Sequence, residues 1–154
     1  MFLRLRTSKL PSLRGVNEMV AVDTNIVVAL FIRGRFSDDA LKLQRKDSVW
    51  RTEPFTLLEF SKVLATYQRG RYLSKAAALE RLQLAEEFLS PNYVRVSNQS
   101  ALELALQYRV SAYDARLLAV ADQLRLRLIT EDIQLRTAAP VLTQSLKEAL
   151  DSQR

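Results

Sequence analysis

The sequence predicts an α/β fold, a three-layer sandwich built on a central, mainly parallel sheet. Three observations lead there. Short β-prone runs alternate with helical segments from residue 19 onward. The segments between those runs are long enough to hold a helix, which parallel strands require of their crossovers. The chain of 154 residues is 48% apolar and 26% charged, the balance of one globular domain able to bury a core.

The elements follow in order. Val20 to Val22 is a β-prone run stopped by Asp23-Thr24-Asn25, and Ile26 to Ile32 has the spacing of a buried helix. Ser37 to Arg45 is a second helix and Val49 to Thr52 a second strand. Pro54 suits the first turn of a helix running to Arg69, which Gly70 ends. Ser74 caps a long helix to Leu89, and Ser90-Pro91-Asn92 breaks the chain before a strand expected at Tyr93 to Val96. Ser97 or Asn98 opens a helix to Tyr108, and Ser111 caps another from Ala112 to Arg125. Arg127 to Ile129 returns as a strand. A short helix follows Glu131, a last strand is expected at Val141 to Thr143, and Ser145 to Asp151 closes the chain as a helix.

Three glycines, four prolines and no repeat leave no linker that would divide the chain. Residues 1–18 read as a basic N-terminal extension, with Arg4, Arg6, Lys9 and Arg14 against Glu18 alone, and residues 19–154 as one domain. The extension thus carries +3 of the net +6, so basicity by itself says little about partners. No apolar run approaches the ~20 residues that span a bilayer, and no secretory leader is evident, so a cytoplasmic protein without a membrane partner is expected.

The chain has no cysteine and no histidine. That excludes disulfide scaffolds, thiol nucleophiles, the usual zinc sites and every histidine-dependent triad. Carboxylates remain as the only side chains able to hold a hard cation strongly.

Four acids stand out, each with an ordinary structural role open to it. Asp23 sits between an apolar strand and an apolar helix, where an isolated charge is costly; it or Asn25 could equally cap the helix. Glu59 falls at the border of the face defined by Leu57, Phe60, Val63, Leu64 and Tyr67, where it could simply pair with Lys62, worth ~0.3 kcal/mol. Asp114 shares a stripe with Leu117, Leu118 and Ala121, and could also complete a capping box with Ser111. Asp132 follows the strand ending at Ile129, where first-turn helix electrostatics would also suit it, and Glu131 competes with it for any role as a ligand. Brought to one sheet edge, such acids would repel by ~4 kcal/mol per pair at ~4 Å and an effective dielectric of 20, a cost that a divalent cation turns into binding.

The strings Val20-Ala-Val-Asp-Thr-Asn-Ile26, Ser111-Ala-Tyr-Asp-Ala115 and Ile129-Thr-Glu-Asp132, with Glu59 on a helix between them, resemble the acidic motifs of PIN-domain ribonucleases. The match is nearest to the VapC-type toxins of type II toxin–antitoxin pairs and covers Val20 to Thr143. The resemblance implies that Asp23, Glu59, Asp114 and Asp132 bind Mg²⁺ or Mn²⁺ and hydrolyse RNA. Thr24 and Thr130 would lend hydroxyl support, with Asn25 and Tyr113 as supporting or packing residues. It also implies a homodimer and a small antitoxin protein that covers the acidic pocket. Arg33, Arg35, Arg69, Arg71 and Arg116 are candidates for RNA backbone contacts.

Other carboxylate chemistries fit less well. A receiver-type phosphoacceptor domain would show adjacent acids after the first strand, and a haloacid-dehalogenase-like phosphatase would show Asp-x-Asp, whereas residue 25 is Asn. The remaining alternative is a PIN fold that binds RNA or protein without cutting.

Overall fold

The computed structural model describes residues 19–152. The extension at residues 1–18 therefore lies outside the described residues. Four strands, β1 (Met19–Val22), β2 (Val49–Arg51), β3 (Leu128–Ile129) and β4 (Thr143–Gln144), form one sheet in the order β2-β1-β3-β4. All three pairings are parallel. Eight helices are described: α1 (Thr24–Phe31), α2 (Ser37–Lys46), α3 (Phe55–Arg69), α4 (Lys75–Leu89), α5 (Asn98–Tyr108), α6 (Ala112–Gln123), α7 (Ile133–Ala138) and α8 (Leu146–Asp151).

Side-chain alternation along the two central strands divides the core into two layers. Val20, Val22 and Ile129 face one cluster with Ile26, Val27, Leu43, Trp50, Phe60, Leu64 and Leu89, supplied by β2 and α1 to α4. Ala21 and Leu128 face the other, with Leu117, Leu118, Val120 and Ala121 of α6 and Leu135 of α7. The pairing Ala21↔Leu128 and Val22↔Ile129 keeps each like-facing pair side by side. With helices on both faces, the expected three layers are present.

Helix starts follow the polar residues that the sequence offers. Ser74, Ser97, Ser111 and Ser145 each accept a backbone N–H of the first turn, so Ser97 rather than Asn98 opens α5. Asp23 and Asp132 do the same for α1 and α7. α1 begins at Thr24, two residues ahead of the apolar run, because Asp23 caps it there.

Two strand expectations need correction. Tyr93 to Val96 is not a strand: Tyr93 makes a single parallel bridge to Thr52, and Val94 N–H donates to Thr52 O at 2.9 Å. Its partner runs out, since the chain after Thr52 reaches Pro54, which lacks an N–H, and turns into α3. The last strand is Thr143–Gln144 rather than Val141 to Thr143. Leu142 O still accepts from Leu128 N–H at 2.7 Å, so the ladder starts where expected and continues further.

Candidate active site

The chain steps outward from β1 to β2 on one side of the sheet and from β3 to β4 on the other, so the topological switch lies between β1 and β3. Ligands of such sheets bind beyond the strand C-termini at that point. Asp23 follows β1 there, and Thr130 to Asp132 follow β3. The Asp23 N–H donates to Ile129 O at 3.0 Å, which holds the two strand ends together.

Asp23 is 7% exposed and both oxygens of its carboxylate accept hydrogen bonds. One oxygen accepts from the Thr24 N–H at 2.7 Å, the other from the Thr130 hydroxyl at 2.8 Å and the Asn25 amide at 3.3 Å. Asn25 also donates to Thr130 Oγ1 at 3.1 Å and accepts from the Glu131 N–H at 3.2 Å. The Asp132 N–H completes the lattice by donating to Thr130 Oγ1 at 3.0 Å. An amide at position 25 is what this lattice requires, because a carboxylate there could not donate to Asp23.

Glu59 reaches the same place from α3. Its Oε2 accepts from the Thr24 hydroxyl at 2.6 Å. Lys62 makes no ion pair with it within 4.0 Å, so the helix-surface pair considered from sequence does not form. Asp114 stands in the first turn of α6 above buried Leu117 and Leu118, its own N–H donating to Ser111 Oγ at 3.0 Å. The cap and the position on the apolar stripe coexist. In Asp132, Oδ1 accepts from the N–H groups of Gln134 and Leu135 at 2.9 and 3.1 Å, while Oδ2 has no protein partner among the described residues.

These four acids line a single pocket of about 580 Å³. Burial drives the Asp23 carboxyl up from its ordinary 3.8 to about 6; the Thr130 hydroxyl and the Thr24 amide pull it down, and the charges of Asp114 and Glu59 push it further up. Burial also raises Asp114, opposed by Ser111 and reinforced by Asp132 and Glu59. The four carboxylates thus act on one another electrically.

Glu131 faces elsewhere. It accepts from the Leu146 N–H at 2.7 Å and from Arg136 at 3.2 Å, tying the β3 exit to α8, and it lines a separate recess with Arg35 and Lys147. Tyr113 is exposed and packs on Phe55 with ring centroids 5.9 Å apart, outside the acidic pocket.

The arginine candidates divide. Arg116 is held by the protein: its guanidinium donates to Glu53 at 2.6 Å, Asn98 at 2.8 Å and Val96 O at 3.3 Å, which fits a structural clamp better than a backbone contact. Arg33 pairs with Asp38 and Arg35 lies over the Phe36 ring. Arg69 and Arg71 are exposed at the C-terminal end of α3.

Sequence reasoning missed Lys62, Val63, Thr66 and Tyr67, which line the pocket as the continuation of Glu59 along α3. Their signal was the spacing i+3, i+4, i+7 and i+8 from Glu59, one stripe of a helix.

The donor set suits a hard divalent cation in kind, being all oxygen. It is open rather than cage-like: among the described residues no three acidic side chains converge tightly enough to form a metal-binding group.

The fold, a four-stranded parallel sheet covered by helices, is that of a PIN domain. The PIN domain family matches residues 20–140, and the chain belongs to that family, whose members are generally metal-dependent nucleases. Among solved structures, it is similar to the crystal structure of PAE2754 from Pyrobaculum aerophilum, at 21% identity and a TM-score of 0.66 over 86% of this chain and 95% of that one. That likeness concerns the fold. No curated protein matches the chain significantly. Among the described residues no helix is long and apolar enough to cross a membrane.

Proposed function

We propose that this chain is a Mg²⁺- or Mn²⁺-dependent endoribonuclease, the toxin of a toxin–antitoxin pair, working in the cytoplasm as a homodimer until a small antitoxin covers its pocket. The observation that carries the nuclease reading is the meeting of Asp23, Glu59, Asp114 and Asp132 in one pocket at the sheet's switch point. The toxin, dimer and antitoxin parts rest on the motif strings.

In this reading the four carboxylates would hold the cation by drawing closer together than the open arrangement described above. When bound, it would polarise the phosphodiester and lower the pKa of attacking water. The rest of the work belongs to the chain. Thr130 and Asn25 fix the orientation of Asp23, and the Thr24 hydroxyl does the same for Glu59. The first-turn amides of α7 pin one oxygen of Asp132 and leave the other turned free. With no histidine in the chain, a histidine-driven route through a 2′,3′-cyclic phosphate has no base, so the products expected are a 5′-phosphate and a 3′-hydroxyl.

The openness of the carboxylate set favours one other reading, a PIN fold that binds RNA or protein without cutting. Incubation of single-stranded RNA with the purified protein separates the two. Cleavage with Mg²⁺ or Mn²⁺, abolished by EDTA and by a folded Asp114→Asn variant, supports the enzyme; cleavage that survives Asp114→Asn contradicts the site. Mapping RNA ends after brief expression of both proteins would identify the target.

A further inference from the structure

Beyond the acids, the pocket continues along α3 toward an exposed aromatic corner. Lys62 lines the pocket one turn after Glu59, exposed and without an ion pair among the described residues. Thr66 and Tyr67 lie a turn further on and line both this pocket and a neighbouring one that they share with Tyr72. From Glu59 to Tyr67 the helix rises roughly 12 Å.

Tyr72 is 80% exposed, yet it is held firmly. Its N–H donates to Tyr67 O at 2.9 Å, and its ring meets the Tyr67 ring edge-on with centroids 5.9 Å apart. Gly70 makes room for that ring, since a Cβ there would lie 3.0 Å from two of its carbons. Arg71, at φ 61, turns the chain to present it. Arg69 and Arg71 flank the corner, exposed and without ion pairs among the described residues. An exposed, braced aromatic ring on a surface that also carries Lys62, Arg69 and Arg71, none of them ion-paired among the described residues, matches the composition of a single-stranded nucleic-acid platform, in which cations follow the backbone and rings stack bases.

We propose that the α3 surface is the substrate track of this pocket: Lys62 binds a phosphate beside the one that is cut, and Tyr72, braced by Tyr67, stacks a base further along the same strand. The proposal rests on the nuclease reading for its directionality, but its binding chemistry can be tested without cleavage.

The test uses the full chain with Asp114→Asn as a non-cutting background and a fluorescein-labelled single-stranded RNA of about twelve mixed nucleotides, with anisotropy read across a series of KCl concentrations. Lys62→Ala should weaken binding and lower the slope of log K against log salt by about 0.7, the loss of one phosphate contact on a single strand. Lys62→Arg should restore the slope. Tyr72→Ala should weaken binding about tenfold with the slope unchanged, and Tyr72→Phe should bind as the parent does. Lys42→Ala, on the exposed face of α2, controls for net charge and should leave the slope in place.

In the cleaving protein, both alanine changes should raise KM and leave kcat within about twofold. Unchanged affinity in Tyr72→Ala, or an unchanged slope in Lys62→Ala, overturns the track and leaves that face to a protein partner. The two readings fail separately. RNA cleavage indifferent to Lys62 and Tyr72 sinks the track alone, whereas RNA binding that depends on both, with no cleavage by the parent chain, sinks only the nuclease.

Discussion

The raised carboxyl of Asp23 makes a prediction about stability that needs no substrate. A carboxylate whose folded pKa lies above its unfolded value binds more protons folded than unfolded, so it costs nothing below the unfolded value and a growing penalty above it. For Asp23 the window runs from about 3.8 to about 6, and the penalty is complete above it. At 1.36 kcal/mol per unit, that difference destabilises the metal-free protein by about 3 kcal/mol at pH 7 relative to pH 3.5. For a chain of this length it corresponds to roughly 10 °C in Tm. The perturbation is Asp23→Asn, which cannot ionise. Its lost hydrogen bonds change stability by an amount independent of pH, so the pH dependence of the difference isolates the charge. Urea unfolding of both proteins in EDTA, followed by circular dichroism from pH 3.5 to 7.5, should show the wild type losing about 3 kcal/mol relative to the variant as pH rises. A difference that stays flat, or that moves in favour of the wild type, would refute the claim that burial of this carboxylate outweighs the hydrogen bonds it accepts.

Three further outcomes follow from the same geometry. Mn²⁺ at about a hundred times its Kd should raise stability by ~2.7 kcal/mol, more weakly at pH 5 than at pH 7 because protons compete for Asp23 and Asp114; thermal unfolding at both pH values reads this. Asn25→Asp should cost about 2 kcal/mol at pH 7 and much less at pH 4, since it replaces the amide that donates to Asp23 and Thr130 with a like charge; chemical denaturation at the two pH values checks it. Arg116→Met should destabilise by about 3 kcal/mol by stranding buried Glu53, yet leave the salt dependence of RNA binding where it was, a result that would separate a structural clamp from a phosphate contact.

How much of this was legible beforehand differs by element. The serine caps at 74 and 111 and the apolar runs of β1 and β3 announce themselves, because caps and side-chain periodicity act over a few neighbouring residues, whereas the choice of Ser97 over Asn98 needed the structure. The strand expected at Tyr93 to Val96 looked equally good locally and fails because its partner meets Pro54, some forty residues earlier in the chain. Arg116 is the same case at the site. As a lone cation on a helix it reads as a phosphate contact, and only its packing against Glu53, Asn98 and Val96 reveals a clamp. Lys62 errs the other way: the i+3 spacing suggests a pair with Glu59, but Glu59 accepts from the Thr24 hydroxyl, no ion pair with Lys62 forms, and the ammonium lines the pocket.

By itself, the sequence determined the alternation of strands and helices, the two-faced core and the identity of the four acids with the motif strings around them. Those properties depend on residue type and short spacing. Tertiary structure alone decided that Asp23, Glu59, Asp114 and Asp132 share one pocket while Glu131 turns to α8, and that Tyr72 stands exposed beside Gly70 at the end of the same surface. The burial that raises Asp23 and Asp114, and the charges of the other acids that add to it, come from chain segments tens of residues apart, and no local pattern carries such a distance.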